Sequence, residues 1–223
     1  LGVLDASECP PTYGTDPKLV QGIIAGGRDA MFRSVEDAED NEEKGKQVIR
    51  ERGITKDDVV VGITASGRTP YALGAVREAR RIGALTVGIS SNSTSIIKNE
   101  VDVAITPIVG SEVVMGSTRM KSGTAQKLVL NMITTTVMIK LGKVYGNLMV
   151  DLKPTNKKLV DRAIRIVAYA TSIKDDEAEK YLRLSDYNPK VAIVMIKADV
   201  SKEKAEELLS KGNGFVTNAL KFS

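Results

Sequence analysis

The feature that most constrains this chain is Asp58-Val-Val-Val-Gly-Ile-Thr-Ala-Ser-Gly-Arg-Thr-Pro70, where a β-branched apolar run turns abruptly into hydroxyls and glycine. Val59, Val60, Val61 and Ile63 form the short run expected of a strand covered on both faces in a parallel sheet. Thr64, Ser66 and Thr69 then supply hydroxyls, and Gly67 lets the backbone come close to a ligand. Pro70 suits the first position of a helix N-capped by Thr69. Such a helix aims its free N–H groups and positive dipole end above the strand's carboxyl edge, where open α/β sheets bind ligands. An ordinary strand-to-helix turn would use the same residues. The chain lacks GxxxxGK[ST], and Gly62 and Gly67 do not have dinucleotide spacing, so the ligand expected of this loop is a phosphate monoester.

The rest of the chain is organised around that strand and helix. Residues 19–25 read as a strand ending at Gly26-Gly27, and 30–52 as a helix with a break near Gly45. Residues 58–64 form the second strand. The helix over 69–82 has Ala72, Ala75, Val76 and Ala79 on one face, and Gly83 stops it. Further strands are expected at 85–90 and 103–108. Strands alternating with helices mean parallel βαβ units, so the fold class is α/β with a doubly wound parallel sheet. The longest helix covers 118–141, with Leu128, Met132, Thr135 and Ile139 on one stripe and Val129, Ile133 and Thr136 beside it. This surface reads as core, part of it as subunit interface. Residues 151–156 read as a linker and divide a domain of 1–150 from a small helical subdomain of 151–223. In that tail Leu159, Ala163, Ile166, Val167 and Ala170 recur at helical spacing, and 175–184 and 201–209 are helical. The apolar run 191–196 fits strand or helix equally.

Composition narrows the function. Aromatics are only 4% and Trp is absent, so the core is aliphatic. The net charge of +4 is spread over interspersed signs without a basic, aromatic-laced stripe, which argues against nucleic acid as a partner. A single cysteine, Cys9, excludes an internal disulfide framework. No apolar run approaches the ~20 residues a membrane-spanning helix needs, and the chain reads as cytoplasmic. Leu1 is not a methionine, and the opening residues read as the middle of an element, so further N-terminal sequence is expected.

Histidine is absent. Acid–base chemistry near neutral pH then falls to carboxylates, Lys, Tyr or Cys, and a zinc site lacks ligands. Glu8 stands beside Pro10-Pro11, which should end a helix there, at a cleft or simply at the surface. Glu36, Glu39 and Asp40 fall within one expected helical turn, as a reactive cluster if partly buried or as a solvated face. Gly116-Ser-Thr-Arg-Met-Lys-Ser-Gly-Thr124 is a second glycine- and hydroxyl-rich helix start, which either completes an anion site or caps the long helix. Cys9 has no histidine to activate it as a nucleophile.

Five segments together resemble one family: Asp5-Ala-Ser-Glu-Cys-Pro-Pro-Thr-Tyr-Gly14, Ala65-Ser-Gly-Arg-Thr-Pro70, Ile105-Thr-Pro-Ile-Val-Gly110, Ser117-Thr-Arg-Met-Lys-Ser-Gly-Thr-Ala-Gln-Lys127 and Gly142-Lys-Val-Tyr-Gly-Asn-Leu-Met-Val-Asp151. The chain resembles the N-acetylmuramic acid 6-phosphate etherases, which carry a SIS (sugar isomerase) domain. The resemblance implies a lyase of peptidoglycan recycling that removes D-lactate from the C3 ether of the sugar phosphate. It implies no metal and no organic cofactor, a homodimer, and a helical C-terminal subdomain that makes 191–196 a helix. Glu8 would be the catalytic acid and Glu39 the second catalytic glutamate. Ser66, Gly67, Arg68 and Thr69 would hold the 6-phosphate, and Glu36 a sugar hydroxyl. Members also have an N-terminal helix, a strand and a Gly-Thr-Ser-Gly-Arg loop ahead of the Leu-Gly-Val-Leu-Asp with which this sequence starts. Two other functions remain open: a non-catalytic sugar-phosphate sensor similar to the glucokinase regulatory protein, and a plain sugar-phosphate isomerase.

Overall fold

In the computed structural model, which describes all 223 residues from Leu1 to Ser223, the apolar run becomes strand β1 (Val59–Ile63). It pairs in parallel with β2 (Leu85–Ile89), in register Val61 to Val87, and β2 pairs in parallel with β3 (Val103–Ile105). The sheet order is β1-β2-β3. Helix α3 (Pro70–Ile82) is the crossover between the first two strands. It ends where expected, on Gly83 in the left-handed conformation that glycine adopts most readily. Leu73 and Val76 of this helix pack with Ile97 and Val101, and Ala79 packs with Ile49 and Ala84. Ile49 comes from α2 (Glu42–Glu51), which lies against α3.

Two compact units result, one formed by Leu1–Val3 with Gly22–Asn131 and the other by Leu4–Gln21 with Met132–Ser223. The first unit carries the parallel sheet. The second contains α1 (Gly2–Tyr13) from Leu4 onward and the antiparallel pair β4 (Val144–Tyr145) and β5 (Leu148–Met149). It also contains α5 (Lys157–Thr171), α6 (Asp175–Leu184), α7 (Pro189–Ala198), α8 (Lys202–Lys211) and α9 (Val216–Ala219). The long helix α4 (Lys121–Lys140) runs through the division point.

In the second unit α7 is buried from Pro189 to Met195, apolar nearly all round, which is why periodicity could not classify 191–196. Asn188 caps it, accepting the Lys190 and Val191 N–H groups, and the segment is helix. Ile193, Val194, Val167, Leu182 and Leu208 form the middle of this aliphatic core. The buried Lys190 ammonium donates to the Asp151 carboxylate at 2.7 Å and to the Gly142 carbonyl at 2.9 Å, so its charge is paired. Residues 151–156 contain no helix or strand, yet Leu152 is buried, so the segment is anchored at its start.

Four local expectations fail. On α4 the stripe Leu128, Met132, Thr135 and Ile139, read as core, is exposed, whereas Val129 beside it is buried. Residues 19–25 form no strand; Leu19, Ile23 and Ile24 are exposed and no neighbouring strand supplies a ladder, without which an extended run cannot satisfy its backbone. The helix expected over 30–52 is instead a 3-10 turn, Gly27–Met31, then irregular chain, then α2. Asn41 sets that start by accepting the Lys44 N–H on its side chain at 2.9 Å. Gly45, the supposed break, sits buried inside α2. Finally, α1 does not stop at the proline pair but continues through Pro10 and Pro11, and the Gly14 N–H closes its last turn on the Pro10 carbonyl. Two prolines so near a helix end remove N–H groups from one turn only.

Candidate functional site

The turn from β1 to α3 is built on hydroxyls. Thr64 is buried, and its Oγ1 is the hub: it pairs with Thr69 Oγ1 at 2.7 Å and Ser66 Oγ at 3.5 Å and accepts the Gly67 N–H at 3.3 Å. Ser66 Oγ in turn accepts the Arg68 N–H. Thr69 occupies the cap position, but its hydroxyl faces Thr64 and makes no cap hydrogen bond, contrary to the sequence expectation. Pro70 is at the first helical position as expected.

Gly67 has φ +71°, and a Cβ there would lie 2.1 Å from the Ser95 Cβ, so conformation and space both require glycine. Its carbonyl accepts the Ile97 N–H at 3.0 Å. Behind it the buried Ser90 and Ser95 hydroxyls are joined at 2.8 Å, and the Asn92 amide donates to the Ser66 carbonyl at 3.3 Å. These bracing residues escaped the sequence reading, although Ser90-Ser-Asn-Ser-Thr-Ser95 at the end of β2 was a visible hydroxyl run. The structure thus sorts the hydroxyls: Thr64, Thr69, Ser90 and Ser95 hold the turn, while Ser66 is exposed beside the exposed Arg68.

Glu39 enters through its backbone. Its carbonyl accepts the N–H of Tyr71, one of the helix-start donors of α3, at 2.9 Å. The dipole end expected to face a ligand is therefore partly closed by a neutral peptide group. Segment 32–41 is not helical, so Glu36, Glu39 and Asp40 do not share a helical turn. All three are exposed, and Asp37 between them has φ +56°. Asx-rich segments favour such local turns over helix. Glu8 belongs to the second unit, exposed in the middle of α1 rather than at an element's end. Beside it Cys9 is buried, and burial, then the Asp5 and Glu8 charges, push its thiol pKa up, away from nucleophile character.

The start of α4 is capped differently. The Glu112 carboxylate accepts the N–H groups of Lys121 and Ser122, each at 3.1 Å, and the Lys121 ammonium donates to the Ser111 carbonyl at 2.7 Å. Those two amide bonds hold the Glu112 carboxyl below its ordinary range. The Ser122 hydroxyl pairs with that of Ser91 at 2.8 Å. Glu112 was not foreseen. No group of three or more His, Cys, Asp or Glu side chains is arranged to hold a metal ion, and no helix is long and apolar enough to cross a membrane.

Comparison with known proteins places these features in a family. Residues 42–136 match the SIS domain, 3–80 the glucokinase regulatory protein N-terminal SIS domain, and 146–212 the C-terminal lid domain of glucokinase regulatory protein. The fold is accordingly α/β of SIS type. An N-acetylmuramic acid 6-phosphate etherase of Clostridium acetobutylicum is 62% identical over 221 residues, covering 99% of this chain and 73% of that protein. One of Caldanaerobacter subterraneus subsp. tengcongensis is 58% identical, covering 99% and 72%. Another, from Clostridioides difficile, is 54% identical, covering 99% and 73%. With a SIS domain around the hydroxyl-built turn and identity of this level along nearly its whole length, the chain belongs to the N-acetylmuramic acid 6-phosphate etherase family.

Proposed function

We propose that this chain is a carbon–oxygen lyase that converts N-acetylmuramic acid 6-phosphate into N-acetylglucosamine 6-phosphate and D-lactate. The observation that carries the reading is the turn Ser66 to Thr69, in which Ser66 and Arg68 are exposed on a buried, hydroxyl-braced Gly67 and which runs into α3, whose Tyr71 N–H holds the Glu39 carbonyl, in a chain 62% identical to an etherase. Residues 1–150 form the sugar-phosphate-binding part and 151–223 the helical subdomain. The enzyme works in the cytoplasm as a homodimer.

In this mechanism Ser66, the Gly67 and Arg68 backbone, the Arg68 side chain and Thr69 hold the 6-phosphate, and Glu36 binds a sugar hydroxyl. Phosphate binding fixes the ring-opened sugar for reaction. The open-chain aldehyde makes the C2 proton acidic. Glu39, as carboxylate, takes that proton; the electron pair forms the C2–C3 double bond, and the C3–O bond breaks as protonated Glu8 gives its proton to the departing lactate oxygen. Water then adds at C3, losing a proton to Glu8, while Glu39 returns its proton to C2. The sum is ether plus water giving alcohol plus D-lactate, with both carboxyls restored. Each acid or base step is worth roughly a hundred- to ten-thousand-fold in rate.

In the full-length chain, Glu39→Gln is expected to abolish D-lactate release and C2 deuterium exchange while the sugar phosphate still protects the protein against heat. Glu8→Gln is expected to abolish lactate release but keep exchange. Persistent exchange in Glu39→Gln removes Glu39 from its role. The matches to the two glucokinase regulatory protein models favour one alternative, a non-catalytic sugar-phosphate sensor. Binding without any lactate release by the wild-type protein would establish it.

A further inference from the structure

We propose that the close crossing of α2 on α3, at Gly45 and Gly74, together with the Tyr71 N–H, is the device that positions Glu39 for catalysis. The inference rests on the assignment of Glu39 as the base. Glu39 is exposed and lies in irregular chain, so little around its side chain fixes it. Two backbone features do. Its carbonyl is held by the Tyr71 N–H at 2.9 Å, and two residues on, Asn41 starts α2 by accepting the Lys44 N–H. The place of Glu39 is therefore set by where α2 starts relative to where α3 starts.

Two glycines determine that distance. A Cβ on Gly45 would lie 2.1 Å from the Tyr71 carbonyl oxygen, and one on Gly74 would lie 2.1 Å from the Glu42 carbonyl oxygen. Both are backbone atoms, so a methyl group forces the helices apart. Glycine is a poorer helix former than alanine, so helix propensity alone disfavours both positions. The two contacts bracket the base: one falls on the residue that holds the Glu39 carbonyl, the other three residues after Glu39. Ion pairs Arg77–Glu42 at 3.2 Å and Arg50–Glu78 at 2.8 Å tie the same helices along their length. The phosphate loop is braced separately, by Thr64, Asn92 and Ser95. None of those braces comes from α2, so a shift of α2 acts first on Glu39.

The effect should appear in kcat and not in KM, because displacement of a reacting group by about 1 Å costs on the order of a hundredfold. In the full-length chain, Gly74→Ala is expected to lower kcat for D-lactate release at least about tenfold, with C2 exchange falling in parallel. KM for N-acetylmuramic acid 6-phosphate should change less than about twofold, and protection by N-acetylglucosamine 6-phosphate should persist. Should Gly74→Ala fail to fold, residue 71 decides. Tyr71→Pro removes the N–H at a first-turn position with no intrahelical partner, while Tyr71→Ala removes the same side chain and keeps the N–H. Because proline also presses the preceding Pro70 out of the helical region, KM is read beside kcat, and a KM that rises with the loss of kcat in Tyr71→Pro overturns the proposal. A kcat much lower for the proline than for the alanine variant is expected. Equal kcat in that pair, or a folded Gly74→Ala with wild-type kcat, overturns the proposal. Glu39→Gln keeps the two ideas apart. Exchange surviving in it defeats the base assignment, whereas exchange lost there but kept in Gly74→Ala and Tyr71→Pro defeats only the positioning device.

Discussion

Helices α3 and α4 begin alike in sequence and differently in chemistry. Each follows a glycine- and hydroxyl-rich stretch in the same compact unit. At α4 the chain supplies its own anion, the Glu112 carboxylate on the Lys121 and Ser122 amides. At α3 the first-turn amide of Tyr71 meets a neutral carbonyl from Glu39, while Ser66 and Arg68 stay at the surface. A helix N-terminus attracts one negative group, and where a carboxylate occupies it an incoming phosphate is repelled. Of two hydroxyl-rich helix starts, the fold fills one with its own carboxylate and leaves the other without an internal anion.

The strongest challenge to that contrast is Gly67→Ala. With φ +71° and the Ser95 Cβ 2.1 Å from the added methyl, the loop cannot keep its shape. KM for the sugar phosphate should rise about a hundredfold, the equivalent of losing one or two charge-assisted hydrogen bonds. An unchanged KM in steady-state lactate release would place the phosphate elsewhere. Next come single hydroxyls: Ser66→Ala or Thr69→Val should each raise KM about tenfold, whereas Ser122→Ala, at the self-capped helix, should change it less than about threefold. Equal effects at both helix starts would mean that both hold the substrate and would break the comparison.

The smallest effect sharpens the contrast without touching KM. Glu112→Gln removes the internal anion of α4 and should lower the unfolding temperature modestly at pH 7. Because two amide N–H groups hold the folded carboxyl below its ordinary value of 4.5, its contribution is fully present above that pH and is lost as pH falls through the lower, folded value. The gap between wild type and variant should therefore close in acid, as followed by circular dichroism melts. A gap that widened in acid would contradict the assigned cap.

Much of this was readable in advance where the signal is local. Strands β1 and β2 and helix α3 follow from a β-branched run, a proline at the first helical position and a terminating glycine, all near neighbours in sequence. The family motifs likewise marked Ser66 to Thr69. The segment 19–41 was misread because its outcome depends on distant groups: 19–25 has no strand to pair with, and the Asn41 cap outweighs the helical pattern before it. The Glu39 carbonyl meets an amide 32 residues away and Glu112 caps a helix start nine and ten residues on, and neither spacing carries a periodic signal.

Local signals in the sequence set the parallel α/β pattern and the aliphatic core, the five motifs marked the family, and the absence of histidine narrowed acid–base groups to carboxylates, Lys, Tyr or Cys. Tertiary structure alone decided which hydroxyls brace the loop and which face outward, which helix start is already filled, and that Glu39 is held by its backbone at the head of α3. The reason is physical: strand runs and caps act between near neighbours, whereas the partner of a buried hydroxyl, an amide or a carboxylate is set by which chain segments packing brings within about 3 Å.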